Sequence, residues 1–363
     1  MRDPGGPQAS SQTAQFLRGS WRRSSSQRGS AQRGSAQHGS GRRGSARASR
    51  RDGVPRFAGG GAVAVLAGAA AWGSTGTAAH FAPAGASSVS IGAARIALGG
   101  LLLLVIAVWT SAGRHAVRAL LSSSKTIRAA LVLAAAAVSG YQLCFFSAVR
   151  MTGVAVGTVV AIGSAPVFTG MLSRLSGGPP LDRRWMLATA AAVAGCTVLV
   201  TGGRAAGANP GGVALALAAG LCYAIYAVAA ARLITAGNPE TTVMGLLFGG
   251  AAVLLAPVLA ASSPGWLLTG RGVSVTAYLG IVTTVLAYLL YGRGLRTVPA
   301  PVAVTLGLAE PVVAAMLGLI VLGERLTATA IAGLVLVGLA LAALAVGRRQ
   351  ASQPSSPPVS PPG

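Results

Sequence analysis

Gly307-Leu308-Ala309-Glu310-Pro311 lies inside an apolar run from about Pro299 to Leu322. A run of that length can cross the ~30 Å hydrocarbon core of a bilayer as a helix. Glu310 is the one carboxylate in the chain that falls deep inside such a run. A charge at the centre of a membrane helix costs on the order of 3 kcal/mol or more, so such a residue is paired, faces water or has a function. Pro311 lacks a backbone N–H and is expected to free the carbonyl of Gly307 one turn back.

The composition around this stretch points the same way. Of the 363 residues, 53% are hydrophobic and only 10% are charged, against about a quarter charged in a soluble domain. Mean hydropathy is +0.65. The formal charge of +23 is unevenly spread: twelve arginines precede residue 57 and most others sit in short loops. Basic residues bordering a membrane body account for this better than specific nucleic-acid binding. Cys144, Cys196 and Cys222 each sit within an apolar run and show neither metal-ligand nor disulfide spacing, so they read as small core residues. No metal or cofactor is expected. Nothing resembles a phosphate-binding loop or a nucleophile–base pair, which argues against an enzyme or an ATP-driven pump.

Residues 1–57 are Arg, Gly, Ser and Gln with a five-residue theme between Gln27 and Arg47. They cannot bury enough area to fold and read as a disordered basic tail near anionic headgroups. A native start nearer Arg56 is a further reading. Ser49-Arg50-Arg51 resembles a twin-arginine signal, but no soluble domain follows it. Ten apolar segments follow, at about 58–79, 88–109, 127–149, 152–173, 184–202, 211–232, 241–262, 273–295, 299–322 and 327–346. A Pro/Ser-rich tail closes the chain from 348 to 363. With a cytoplasmic N-terminus, twelve Lys/Arg flank the spans on the inner side against four on the outer side, Arg150, Arg204, Arg271 and Arg325. The positive-inside rule then gives a multi-pass plasma-membrane protein with both termini in the cytoplasm.

The chain also matches itself. Thr152-Gly153-Val154-Ala155 through Ala165-Pro166-Val167 to Met171-Leu172 aligns without a gap with Thr297-Val298-Pro299-Ala300 through Glu310-Pro311-Val312 to Met316-Leu317. Ala71-Trp72-Gly73 has a partner around Cys222-Tyr223-Ala224. Two repeats of five helices, 58–202 and 203–347, insert with opposite orientation because five is odd. That is the inverted-repeat plan that places a site near the midplane between halves. Pro166 and Pro311 are then a matched pair of expected helix breaks, and Ala165 stands where the second half has Glu310.

Ten spans, Trp72-Gly73-Ser74 in the first, Glu310-Pro311-Val312 in the ninth and Leu322-Gly323-Glu324-Arg325-Leu326 before the tenth together resemble the EamA branch of the drug/metabolite transporters. The likeness covers about 58–346. The first half departs from the pattern, with Gly177-Gly178-Pro179-Pro180 for a Gly-Glu-type turn. The resemblance implies an all-α membrane carrier of small metabolites, commonly an exporter of amino acids or related compounds.

Three groups of residues are candidates for the site. Glu310 lies ~17 Å along its helix, near the middle of the core. It can exchange a proton or contact substrate, or it can serve as a neutral or paired acid that bonds the backbone near Pro311. Arg95, the one basic residue well inside a span, lies at a similar depth and can pair with Glu310, snorkel outward or bind an anionic group. Trp72, Tyr141, Gln142, Tyr223, Tyr226, Tyr288 and Tyr291 can line a cavity or simply pack. The pairs Tyr223/Tyr226 and Tyr288/Tyr291 share a three-residue spacing that puts each pair on one helix face. The outcome is a secondary transporter of a small molecule, with protons as the candidate coupling ion. Two alternatives stand beside it: an uptake carrier for an organic cation, and a membrane-embedded assembly protein without transport. The sequence leaves the oligomeric state open.

Overall fold

The computed structural model describes residues 60–178, 180–201, 209–323 and 327–350. The expected N-terminal tail, Pro179, Glu324-Arg325-Leu326 and the chain beyond 350 lie outside these. Regular structure among the described residues is entirely helical. The spans are Gly60–His80, Ser88–Trp109, Lys125–Thr152, Val154–Leu175, Arg183–Thr201, Pro210–Thr235, Glu240–Ala261, Gly270–Leu295 and Ala300–Val321. The tenth helix, Ala328–Gln350, is apolar over Ala328–Leu344 and continues into the stretch expected to open the C-terminal tail. The protein is therefore an all-α membrane protein.

Local chemistry explains where the helices start. The hydroxyls of Ser87 and Ser124 accept from the N–H groups of Ser90 and Ile127, and the carboxylate of Asp182 accepts from that of Trp185. Asn209 caps the sixth span through Gly211 and Gly212, with Pro210 in the first helical position. Each such cap satisfies donors that the helix itself leaves free. Gly153, at φ 83°, makes the tight reversal between the third and fourth spans.

One helix falls where the sequence reads as loop. Ser111–Leu121 lies between the second and third spans, capped by Thr110 and buried at Val117 and Leu120. Arg114 donates to the carbonyls of Val108 and Trp109 and so closes the end of the second span. Its arginines interrupt the apolar run, which hides a helical period of small and apolar residues.

Packing follows a simple plan. The second span lies mainly on the seventh and the fifth on the tenth. The third and fourth lie on the sixth, and the eighth and ninth lie on the first. Exchanging the two halves leaves this set of pairings unchanged. Small residues permit the approach: a Cβ on Gly100 would stand 2.2 Å from the Phe248 carbonyl oxygen, and one on Gly333 2.6 Å from that of Gly195.

Three spans depart from regular α-helix, and they are the three packed together. The first breaks between Gly73 and Thr75. The eighth has a π-helical stretch at Ile281–Leu286, where Thr284 Oγ1 donates to the carbonyl of Leu279 five residues back. The ninth divides into Ala300–Leu306 and Ala309–Val321. The break at Pro311 is as expected, but the carbonyl of Gly307 is not left free: it accepts from the Glu310 N–H at 2.9 Å. Pro311 falls in the first turn of a new helix, where no intrahelical N–H is required. The expected break at Pro166 is corrected by the structure, since Val154–Leu175 runs through it as one helix. The physical difference lies one turn back. Pro311 faces Gly307, the weakest helix former but proline, whereas Pro166 faces Ile162.

Candidate functional site

A cavity of about 450 Å³ opens between the halves and is lined by the first, third, fourth, sixth, eighth and ninth spans, with the second closing one side. Its lining runs from Tyr226 and Tyr288, deep in the bundle, to Ala79, Ser88 and Val149 near the end that carries the turns after the first and third spans. Eight of the nine expected lining side chains are there: Glu310, Arg95, Trp72, Tyr141, Gln142, Tyr223, Tyr226 and Tyr288.

Glu310 is placed by the ninth-span break and by Gly73. A Cβ on Gly73 would meet the Glu310 carbonyl oxygen at 2.7 Å and Val313 Cβ at 2.7 Å, so the first span touches the ninth at backbone distance just where the acid emerges. Trp72, the neighbour of Gly73, faces the cavity. It is 5% exposed, and its indole N–H has no hydrogen-bond partner among the described residues. Ser74 completes the turn. Its hydroxyl donates to the Ala71 carbonyl at 2.7 Å and accepts from the Tyr278 hydroxyl at 2.9 Å.

Arg95 enters from the second span. It is half-buried, and its Nε is buried without a hydrogen-bond partner among the described residues. Arg95 and Glu310 share the cavity but form no ion pair. Among the described residues the one ion pair is Arg296–Glu240 at 3.3 Å, elsewhere in the bundle. No protein group hydrogen-bonds the Glu310 carboxylate among those residues either. The carboxylate and the guanidinium thus line a common space without bonding each other.

Aromatic rings form a continuous arc around that space. Tyr141 lies 6.0 Å from Tyr223, which stacks on Tyr226 at 5.1 Å. Tyr226 lies 6.4 Å from Tyr288, and Tyr288 4.9 Å from Trp72. Phe248 supports the arc from behind, 3.9 Å from Tyr288. Gln142 is buried and donates to the Gly92 carbonyl at 3.4 Å, which holds the third span on the second. Tyr291 is the exception. It is fully buried behind Trp72, 5.3 Å ring to ring, and supports the wall instead of lining it.

Several lining residues are not legible as such in the sequence. Phe145 stacks on Tyr141 at 5.6 Å, and Phe146 covers Gly92. The four-residue step from Tyr141 to Phe145 is the signal that could have found the first of them. Thr158 and Ile162 line the fourth-span wall and carry no such signal.

Below the cavity the first segment of the ninth span, Ala300–Leu306, is tied to the fifth. Thr305 Oγ1 donates to the Pro301 carbonyl at 2.9 Å, accepts from the Trp185 indole at 3.2 Å and lies 3.0 Å from the Thr189 hydroxyl. This buried cluster is fully satisfied, which is what makes polar groups tolerable there.

Comparison with known proteins agrees with this architecture. The model of the EamA-like transporter family matches residues 59–201 and again 210–346. A Bacillus subtilis (strain 168) protein named "Uncharacterized transporter YwfM" is 38% identical over 287 residues, 79% of this chain and 94% of the relative. The "Threonine/homoserine exporter RhtA" of Escherichia coli (strain K12) is 30% identical over 239 residues, 65% of this chain and 74% of the relative. A solved structure described as "Crystal structure of protein" shares the fold, with a TM-score of 0.66 at 20% identity, covering 81% of this chain and 99% of the other. With nine helices long and apolar enough to cross a membrane and a shorter apolar tenth among the described residues, and two matches to one family model, the chain is a membrane transporter and belongs to the EamA-like transporter family.

Proposed function

We propose that the chain is a secondary carrier exporting a small zwitterion of amino acid size, with Glu310 as the proton-exchanging group. The observation that carries this reading is the separated pair: Glu310 and Arg95 line one cavity of about 450 Å³ without bonding each other. That volume suits a small molecule. A zwitterion presents an ammonium to Glu310 and a carboxylate to Arg95, and it brings its own charges to two sites that are costly to leave empty. The ring arc supplies an apolar contact for a side chain. The name of the Escherichia coli relative, an exporter of threonine and homoserine, supports the same class. In this reading 58–202 and 203–347 are inverted repeats, both termini are cytoplasmic, and the cavity opens outward.

The test is counterflow in proteoliposomes with a panel of zwitterionic, cationic and anionic metabolites, with and without a pH gradient. Wild type is expected to exchange zwitterions and to concentrate them with the gradient. Glu310→Gln is expected to lose the gradient response. Full gradient-driven transport by Glu310→Gln overturns the coupling role.

The ring arc beside a carboxylate favours a second reading, uptake of an organic cation through cation–π contact. Arg95→Gln separates the two, since it abolishes zwitterion exchange but leaves or improves cation exchange. A panel with no ligand that stabilises or crosses would instead favour an assembly protein.

A further inference from the structure

A second cavity, about 660 Å³, lies apart from the central one, between the fourth and fifth spans. Its walls are apolar, including Val167, Met171, Leu181, Met186 and Val193, and Arg174 stands at one rim. Val167, Met171 and Met186 are each more than half exposed on the bundle's outer face, so the groove opens to the surroundings of the bundle and not to its centre. It exists because the fifth span packs mainly on the tenth, while the fourth packs mainly on the sixth. The two neighbours are drawn to different partners and part along one edge.

We infer that this groove is a binding site for an anionic phospholipid, with one acyl chain in the cleft and the phosphate on Arg174. Two observations select that occupant. The first is dimension: from Trp185 to Ala194 the groove follows ~14 Å of helix at ~1.5 Å per residue, close to the ~15 Å depth of one leaflet's hydrocarbon. The second is charge. Arg174 sits at the end of the groove where the fourth span stops and the fifth begins, the level of headgroups. Of the two arginines that open the fifth span, Arg184 is committed to the Ala343 carbonyl at 2.6 Å, and Arg183 is exposed but does not line the groove. A guanidinium above an apolar slot complements a phosphate above an acyl chain.

The floor gives the site a consequence. Trp185 and Thr189 line the groove, and both meet Thr305 of the ninth span on their other side. A chain lying in the groove therefore packs against the residues that hold the first segment of the broken span. Gly170 allows the Trp185 ring this position, since a Cβ there would stand 2.8 Å from Cη2.

The full-length protein in neutral detergent, with dioleoyl phosphatidylglycerol or dioleoyl phosphatidylcholine added at equal mole fraction, provides the test. Phosphatidylglycerol is expected to raise the thermal midpoint by at least 5 °C more than phosphatidylcholine, and native mass spectra to retain one lipid. Arg174→Gln is expected to abolish that difference, while Arg174→Lys keeps part of it and Arg183→Gln keeps nearly all. Ala190→Trp, which fills the cleft from an exposed position, is expected to lose the retained lipid while remaining monodisperse. Equal responses to the two lipids overturn the proposal, as do indistinguishable effects of Arg174→Gln and Arg183→Gln. A sedimenting mass that halves in Ala190→Trp with no change in lipid response assigns the groove to a second copy and overturns it equally.

Discussion

The first, eighth and ninth spans pack against one another as the sixth, third and fourth do, yet the two groups are built differently. Every interruption of helical structure lies in the first group: the turn at Ser74, the π stretch at Ile281–Leu286 and the break at Gly307-Leu308. The third, fourth and sixth spans are each one continuous helix. Both groups use a glycine to bring backbones together. A Cβ on Gly73 would strike the Glu310 carbonyl oxygen at 2.7 Å, and one on Gly220 would strike that of Ala161 at 2.7 Å. Close contact therefore does not cause the breaks. What differs is the chemistry at the contact, Gly307 and Glu310 in the ninth span against Ile162 and Ala165 in the fourth. Irregular backbone at membrane depth is tolerated where it lines a cavity, and the broken group carries the acid into the cavity. The continuous group supplies Tyr141, Tyr223 and Tyr226 and no charge.

The strongest way to break this comparison is to move the acid. Ala165→Glu puts a carboxylate at a fully buried place pressed on Gly220, at a cost on the order of 3 kcal/mol or more. It is expected to leave no monodisperse protein on size exclusion. Glu310→Gln keeps its shape in a cavity and is expected to fold like wild type while losing at least tenfold in gradient-driven transport. A folded Ala165→Glu and a collapsed Glu310→Gln would reverse the assignment of the two walls.

The next test concerns the prolines. Pro311→Ala supplies an N–H and favours continuity through Gly307, so transport is expected to slow about tenfold while the thermal midpoint rises. Pro166→Ala acts on a helix that is already continuous. It restores a donor to the Ile162 carbonyl, about 1 kcal/mol of net stabilisation, and is expected to leave transport within twofold. Equal slowing by both would mean that the fourth span also bends during turnover.

These differences also show what could be read from residues alone. Membrane class, ten spans and the charged and tyrosine part of the cavity wall were legible because charge, apolar length and scarce aromatics carry them. The failure of Pro166 to break its helix was less visible, although Ile162 against Gly307 was the clue. The Ser111–Leu121 helix was hidden because arginines on one face end an apolar run without ending a helix. Tyr291 was misplaced because a three-residue step gives a shared face but not which ring stands in front. The π stretch has no signature beyond Thr283-Thr284, whose hydroxyls both reach the Leu279 carbonyl.

The smallest expected effect sharpens the comparison most finely, because it concerns the turn in the first span. Ser74→Ala removes the bond to the Ala71 carbonyl and the acceptor for Tyr278. The backbone turn keeps its own support, Ser74 N–H to Ala71 at 3.3 Å and Ala78 N–H to the Ser74 carbonyl at 2.9 Å. Interhelical hydrogen bonds in membranes average about 0.6 kcal/mol, and this one borders an exposed rim that water can reach. Ser74→Ala is therefore expected to lower the thermal midpoint by no more than a few degrees and to leave transport within twofold. Tyr278→Phe is expected to match it, and the double variant to add almost nothing, since each removes the same bond. If Ser74→Ala instead slowed transport as much as Pro311→Ala, the first-span turn and the ninth-span break would be one mechanical element joined at Gly73, and the continuous sixth span, with Ile225 at the matching place, would be the fixed wall against which both move.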